Sequence, residues 1–378
     1  MTPVPGSVGR RRRAGPGRGR CPRWRASRGL TTAPGGARVP PLPLFNASRA
    51  RGGRPSGKGP GGEAGRPAQG GGGKAAGKGH KPHRPQQRRR TLTPSGCDLP
   101  RKVHDKLEPR GRTILVGDVH GCYDEMLLLL DRQRFDPGRD TLIFLGDLVA
   151  KGPHSNKVLT AARELGAFSI RGNNDDAALR AFAKLSAGLA VKPKYNWVHD
   201  MDPRDAAWLK ELPFSLTLDR YRTILVHAGI VPGRSVRKQR LIDLYKMRNV
   251  FRQDVVNERE ERVTTWQAVP KETGKDGVPW AETYRGPHHI FFGHDAIRSL
   301  QLHDFATGLD TGCVYGGKLS AAVLPDIPEP IPETRPGVTL ETLGAKIVQI
   351  NSFRVHFNPT PGQFGHGQAE RPSGRRVN

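Results

Sequence analysis

Five short apolar runs constrain this chain more than any other feature. ThrIleLeuVal at 113–116, LeuIlePheLeu at 142–145, PheSerIle at 168–170, ThrIleLeuVal at 223–226 and HisIlePhePhe at 289–292 are rich in β-branched and aromatic residues. A strand with one wet face would alternate apolar with polar residues. These do not, so they read as strands buried on both faces. Helical stretches at 126–132, 156–165 and 176–185 follow the first three. Strand then helix, repeated, predicts an α/β architecture with parallel pairing at its centre. Two later runs, 319–324 and 345–350, read as strands of a second sheet.

The first hundred residues are of another kind. They hold 22 Lys and Arg against two acidic residues, Glu63 and Asp98, and 37 of them are Gly or Pro. Of the formal net charge of +27, this segment carries +20 and the remaining 278 residues +7. So polar and kinked a segment cannot offset its own ordering entropy, and it reads as a disordered basic arm over 1–104. Three roles stay open for it: an organelle transit peptide, a tail making sequence-blind contacts to nucleic acid, or a solvated extension. Residues 105–357 are expected to form the folded domain, and the Gly/Pro-rich 358–378 a flexible tail. No apolar run approaches a membrane span. Cys21, Cys97, Cys122 and Cys313 lack metal-knuckle spacing, so neither a disulfide framework nor a structural zinc is expected. The expected compartment is the cytoplasm, with a mitochondrion or chloroplast as the alternative if the arm is a transit peptide. A monomer is expected.

In open α/β sheets, ligands bind at the carboxyl ends of the strands. The polar residues of this sequence cluster there. The five exits read GlyAspValHisGly (117–121), GlyAspLeuValAlaLysGlyPro (146–153), ArgGlyAsnAsnAsp (171–175), HisAlaGly (227–229) and GlyHisAsp (293–295). Any one has a bland reading, since Asp after Gly is a common turn residue and a lone His a common structural one. Together they offer two carboxylates (Asp118, Asp147), three imidazoles (His120, His227, His294) and one amide oxygen (Asn173). That mixed donor set suits two divalent first-row cations better than one zinc or magnesium. Two such ions, bridged by a carboxylate, can share and acidify a water.

In this order the five blocks resemble the calcineurin-like metallophosphoesterases. GlyCysTyrAspGlu (121–125), LysGlyPro (151–153), MetArgAsn (247–249) and GlyLeuAspThrGlyCysValTyrGlyGlyLysLeu (308–319) narrow the resemblance to the ApaH-like phosphatases, relatives of bacterial diadenosine tetraphosphatase. The resemblance implies a β-sandwich of two sheets flanked by helices. It also implies two divalent metals, of the Mn, Mg, Zn, Fe or Co type. Asp118 and His120 would hold the first, Asp147 would bridge, and Asn173, His227 and His294 would hold the second.

One position departs from the family pattern. Most members carry a histidine directly after the metal-binding asparagine, paired with the next acidic residue. This chain has Asn174, followed by Asp175. A carboxamide can donate a hydrogen bond to a phosphate oxygen but cannot deliver a proton. Expelling a serine alkoxide without an acid forfeits about 10²–10⁴-fold. A phosphate or nucleotide leaving an anhydride is a weak base and needs little such help. The expected activity is therefore hydrolysis of phosphoanhydrides: dinucleoside polyphosphate, inorganic polyphosphate or a nucleotide cap. The catalytic candidates are Asn174, Asp175, Lys151 and Arg248, of which Lys151, Arg248 and Asn174 would stabilise charge on the phosphate, and Lys151, Arg171, Arg248 and Tyr315 would contact substrate. The alternatives are a serine/threonine protein phosphatase and, in another class, a metal-binding scaffold or RNA-associated protein acting through the arm. Residues 234–286, with Trp266 and Trp280, read as a cap able to stack a base or anchored to the core by those rings.

Overall fold

The computed structural model describes residues 92–94, 96–256, 260–269 and 277–358. Residues 1–91 of the arm and nearly all of the tail lie outside them. Strands β1 (His104–Lys106) and β2 (Thr113–Val116) precede helix α1 (Tyr123–Arg132). Strand β3 (Thr141–Phe144), α2 (Ser155–Glu164), β4 (Phe168–Ser169) and α3 (Asn173–Ser186) repeat the alternation. Then come α4 (Pro203–Glu211), β5 (Ser215–Leu218), β6 (Thr223–Val226) and α5 (Leu241–Lys246). Strands β7 (Asn249–Val256), β8 (Arg262–Ala268) and β9 (Val278–Pro279) form a small separate sheet before α6 (Trp280–Thr283). The chain continues through β10 (His289–Phe292), β11 (Gln301–His303), β12 (Ala306–Gly308), β13 (Lys318–Leu324) and β14 (Lys346–Asn351).

Two main sheets carry the fold. The five-stranded one runs β14-β13-β2-β3-β4, and the six-stranded one β1-β5-β6-β10-β12-β11. Strands β2, β3 and β4 pair in parallel, as do β6, β10 and β12. The two late apolar runs do not begin a second sheet. Strand β13 pairs antiparallel with β2, Ala321 facing Val116, and β14 extends the same sheet. It is the fourth and fifth runs, β6 and β10, that belong to the other one.

Period-two alternation sorts the buried residues into layers. Leu115, Ile143 and Leu145 of one sheet meet Leu216, Leu225 and Phe291 of the other in a shared core. Their neighbours Ile114, Val116, Leu142 and Phe144 face α1–α3 instead. Ile224, Val226, Ile290 and Phe292 face Tyr245, Trp280 and Tyr284. The result is a β-sandwich covered on both outer faces, which is why β2, β3, β6 and β10 are buried at every position.

Packing begins earlier than residue 105. Leu92 bridges to Asp98, Cys97 rests on the helical core, and Leu99 and Val103 rest on the opposite one. His288 and His289, which look like an exposed pair in the sequence, include a core residue. His289 is fully buried, with Nδ1 against the Val338 carbonyl (3.1 Å) and Nε2 against Thr307 Oγ1 (2.9 Å). Burial lowers its pKa to about 4. The folded state thus holds the neutral ring, so this contribution to stability is full above pH 6.5 and is lost as pH falls toward 4. At pH 5 the loss amounts to about 2 kcal/mol. Urea denaturation at pH 8 and pH 5 should show this drop in the parent protein and a smaller one in His289→Gln.

Candidate dinuclear metal centre

All five predicted exits converge where the carboxyl ends of the two sheets' parallel strands meet. Beyond β2 come Asp118 and His120, beyond β3 Asp147, and Asn173 opens α3 after β4. Beyond β6 lies His227, and beyond β10 His294. His120 Nε2 is 3.7 Å from Asp118 Oδ2 and 3.5 Å from Asp147 Oδ2. His227 Nε2 is 3.4 Å from Asp147 Oδ1 and 3.3 Å from Asn173 Oδ1. Ligand atoms of Asp118, His120 and Asp147 lie within 4.8 Å of one another, and so do those of Asp147, His227 and His294. Asp147 belongs to both groups, as a bridging carboxylate must.

The ring nitrogens are already assigned to roles. His120 Nδ1 lies 3.0 Å from the Val149 carbonyl, and His227 Nδ1 2.8 Å from that of Leu145. Each Nδ1–H donates there and leaves Nε2 as a lone pair facing Asp147. His294 is turned the other way: its Nε2 meets the Lys246 carbonyl at 3.2 Å, which frees Nδ1. Backbone acceptors behind the imidazoles, setting tautomer and ring orientation, are the usual outer support of a metal site.

The backbone is strained at three of the ligands. His120 (φ 47°), Asp147 (φ 50°) and His294 (φ 68°) are all left-handed, and so are Ala150 and Lys151. Such positions cost of order 1–3 kcal/mol each and persist only where surrounding contacts dictate them. Asp175 is one such contact. Its carboxylate accepts hydrogen bonds from the backbone N–H of Asp147 (2.9 Å), Leu148 (3.0 Å) and Gly172 (2.9 Å). This corrects its expected catalytic role: wholly buried, Asp175 shapes the Asp147 turn from beneath and has no path to substrate.

The charge balance identifies what the centre can hold. Asp118, Asp147 and Asp310 are buried together. Burial raises the pKa of Asp118, reinforced by the charges of Asp310 and Asp147. Asp118 Oδ2 is buried without a hydrogen-bond partner. A buried carboxylate oxygen left bare beside two more carboxylates calls for cations, and the mixed O/N donor set fits two divalent ions. Asp310 received no role from the sequence, although it lies in the 308–319 block. Nothing local distinguishes it there from an ordinary turn aspartate.

The proposed substrate contacts divide. Lys151 points into the centre, with Nζ 2.8 Å from His120 Nε2 and 5.2 Å from the centre of the Tyr315 ring. Burial would lower its pKa, but the charges of Asp147, Tyr315 and Asp310 outweigh this and raise it. Asn174 donates from Nδ2 to Asp147 Oδ2 (2.6 Å) and from its backbone N to Oδ1 (2.8 Å). Arg248, half-exposed, donates from Nε to Asp295 Oδ1 (3.2 Å) and from Nη2 to the carbonyl of the ligand His294 (3.0 Å). Tyr315 stands between Lys151 and Phe357.

Arg171 is a correction. It is 0% exposed, bonded to Asp176 Oδ1 (3.2 Å) and to the carbonyls of Asp98 and Lys210, with its guanidinium over the Phe214 ring. It clamps the interior and cannot meet a substrate. Trp280 is also internal. Its Nε1 donates to the Ala228 carbonyl (3.0 Å) and its ring packs on Phe292, so it anchors the cap rather than stacking a base. Trp266 lies beside Arg252. His154 begins α2 and makes no capping bond. Cys122, Glu125 and Cys313 form a further group of ligand-capable residues. Glu125 Oε1 there accepts from Phe353 N (3.0 Å) and meets His356 Nε2 (2.7 Å), fastening the C-terminal segment to α1.

A family model for the calcineurin-like phosphoesterases matches residues 111–298. The symmetrical bis(5'-nucleosyl)-tetraphosphatases of Yersinia pestis and Yersinia pseudotuberculosis are each 31% identical over 255 residues, covering 55% of this chain and 87% of theirs. A crystal structure assigned as a diadenosine tetraphosphatase is 34% identical, with a TM-score of 0.53, covering 67% of this chain and 99% of that one. The chain belongs to the calcineurin-like phosphoesterases, dinuclear metal-dependent hydrolases of phosphate esters and anhydrides. Within them its similarity lies with the ApaH-type tetraphosphatases. No helix among the described residues is long and apolar enough to cross a membrane.

Two glycines permit the close approach of the ligand loops. A Cβ on Gly293 would overlap Asp118 Oδ1, and one on Gly172 would overlap Asp147 Oδ1. Gly293→Ala should therefore displace Asp118 while leaving the fold intact. We expect bound metal to fall and kcat/KM to drop by about 10²-fold. Elemental analysis of the purified protein beside its rate checks both.

Proposed function

We propose that this protein hydrolyses phosphoanhydrides, with dinucleoside tetraphosphate the leading substrate class and symmetrical cleavage to two nucleoside diphosphates the expected outcome. One observation carries the choice of anhydride over ester. The three imidazoles grouped with Asp147 are all taken up by the metal positions, so none of the three is left to act as an acid. His120, His227 and His294 face the metal positions, and the place next to Asn173 holds Asn174, whose carboxamide is bonded to Asp147. Lys151, with its pKa raised, stays a cation and is a poor proton donor. A site that cannot protonate its leaving group is suited to leaving groups that need no proton.

Asp118 and His120 would hold one ion, Asn173, His227 and His294 the other, and Asp147 both. The pair supplies Lewis acidity and an acidified water. Lys151 and Arg248 flank the centre and would bind the phosphate oxygens as charge builds on them. Asn174 adds a neutral donor from the Asp147 side. The tetraphosphatase relatives, in which this chain spans 87% of the length, support the same reading.

The test is hydrolysis by the full chain with Mn²⁺, Mg²⁺, Zn²⁺ or Co²⁺ supplied separately and Asp147→Asn as the blank. Substrates are diadenosine tetraphosphate, long-chain polyphosphate, a capped RNA and a phosphoserine peptide. Anhydride cleavage lost in the blank, with the peptide untouched, is expected. Preferential peptide cleavage would overturn the reading in favour of a protein phosphatase. Asn174→His should raise phosphoserine hydrolysis by about 10²-fold or more while changing anhydride hydrolysis far less.

Asp295, 4% exposed, sits between Arg248 and Arg298, and Arg298 reaches Asn249 Oδ1 (2.7 Å). It orients Arg248 beside the ligand His294. Asp295→Asn should lower kcat and kcat/KM together by about fivefold, and should add little in an Arg248→Ala background.

A further inference from the structure

The segment between His227 and Arg248 is strongly basic and its charges are left over. Arg234, Arg237 and Lys238 are exposed. Among the described residues none of the three takes part in an ion pair, whereas Arg240 is matched to Asp243 (2.8 and 2.9 Å). The loop is also held in one shape. Buried Gln239 accepts from the Val231 N–H (2.9 Å) and donates to the carbonyls of Val231 (3.0 Å) and Arg234 (2.9 Å). At one end the segment begins at the ligand His227, and at the other the Lys246 carbonyl meets the ligand His294 (3.2 Å).

Strand register shows where these charges lie. His104 of β1 is level with Ser215 of β5, which is level with Val226 of β6, the residue before His227. His104 therefore stands at the metal end of the sheet, two strands and about 10 Å to the side. The loop packs there: Gln239, Arg240 and Leu241 line a cavity of about 420 Å³ with His104 and Val103. The charge of Arg237 reaches His104, whose pKa is lowered first by burial and then by that arginine. The rigid cationic strip thus belongs to the β1 side of the six-stranded sheet, at the end where β6 gives way to His227.

We propose that Arg234, Arg237 and Lys238 dock the distal phosphates of a linear phosphoanhydride chain whose reacting phosphate lies at the metals. This rests on the phosphoanhydride reading and adds chain length as the property selected. A short anhydride would be held by Lys151 and Arg248 alone, while a longer one would also reach the strip. Its contribution falls with salt, because exposed charges are screened.

The test is the triple reversal Arg234→Glu, Arg237→Glu, Lys238→Glu in the full chain at low salt. Substrates are tripolyphosphate, long-chain inorganic polyphosphate, diadenosine tetraphosphate and a capped RNA. We expect KM for long-chain polyphosphate to rise about tenfold with kcat kept. Tripolyphosphate should change by less than about twofold. A matching rise for diadenosine tetraphosphate would extend the strip to nucleotide-terminated chains, and its absence would confine it to the inorganic polymer. An equal rise for tripolyphosphate, or no rise for long-chain polyphosphate, overturns the proposal. So does an effect confined to the RNA, or an equal effect from reversing Arg88, Arg89 and Arg90 in the arm. Should the parent cleave none of these, the phosphoanhydride reading fails instead. The strip is then judged by anisotropy of labelled long-chain polyphosphate, where equal affinity of parent and reversal overturns it.

Discussion

The centre depends on a carboxylate held where a carboxylate should not be. Asp147 is buried, left-handed at φ 50°, and in reach of His120, His227 and Asn174 at once. Burial alone would keep it protonated, yet the His227 and His120 rings and the Lys151 ammonium around it hold its pKa well below the ordinary range. A permanently ionised bridge is what two cations require. Three hydrogen bonds from the neighbouring backbone to Asp175 maintain the turn that puts it there. Asp175 in turn has its pKa raised to about 7, by burial first and by Asp147 next. The cost of the centre is therefore distributed between two buried aspartates: Asp147 is held ionised, and Asp175 beneath it has its pKa raised.

That arrangement explains why the ligands come from both sheets. A single parallel sheet offers strand ends in one row, which suits an elongated ligand. Bringing β2, β3 and β4 of one sheet against β6 and β10 of the other gives a compact point where loops approach from two sides. The backbone N–H of His294 donates to Asp118 Oδ1 (3.0 Å), and His227 donates to the Leu145 carbonyl, so the sheets are cross-linked through the ligands themselves. Glycine at 293 and 172 is the consequence, since any side chain would keep the loops apart. Site and sandwich are thus one object, and a substitution that loosens the sheet ends loosens metal binding with them.

Much of this was legible in the sequence because strand ends carry local signatures. A run of ThrIleLeuVal closing on HisAlaGly announces both a buried strand and a polar exit, and all six implied ligands lie together. What was not legible is long-range. Strands buried on both faces carry no mark of which sheet they join, so β13 and β14 could not be assigned to the side of β2. Arg171 and Asp175 sit inside motifs and look like Lys151 and Asn174 in every local respect. Only the fold shows that Arg171 points inward to Asp176 and Phe214 and that Asp175 lies under the turn. Trp280 likewise reads as an aromatic in a charged cap until Ala228 and Phe292 are placed against it.

The division of labour between these layers bears on how such a centre could change substrate without losing its metals. The ligands leave from strand ends that two cores fix in place, so they tolerate little variation. Of the groups that would meet substrate, Lys151 shares the β3 exit with Asp147, while Arg248 leaves from the entry to β7 and Tyr315 from the turn before β13. Lys151 is tied to the ring of the ligand His120, and Arg248 only to the backbone carbonyl of the ligand His294. Arg248 is held through Asp295 and Arg298, which a single exchange at 295 would release. Asn174 lies between the two sets, adjacent in sequence to a ligand yet facing the cleft beside Asp147. An exchange there alters proton delivery while leaving every donor to the metals unchanged. It is thus the position at which the chemistry of the leaving group can shift with the least disturbance to the rest of the fold.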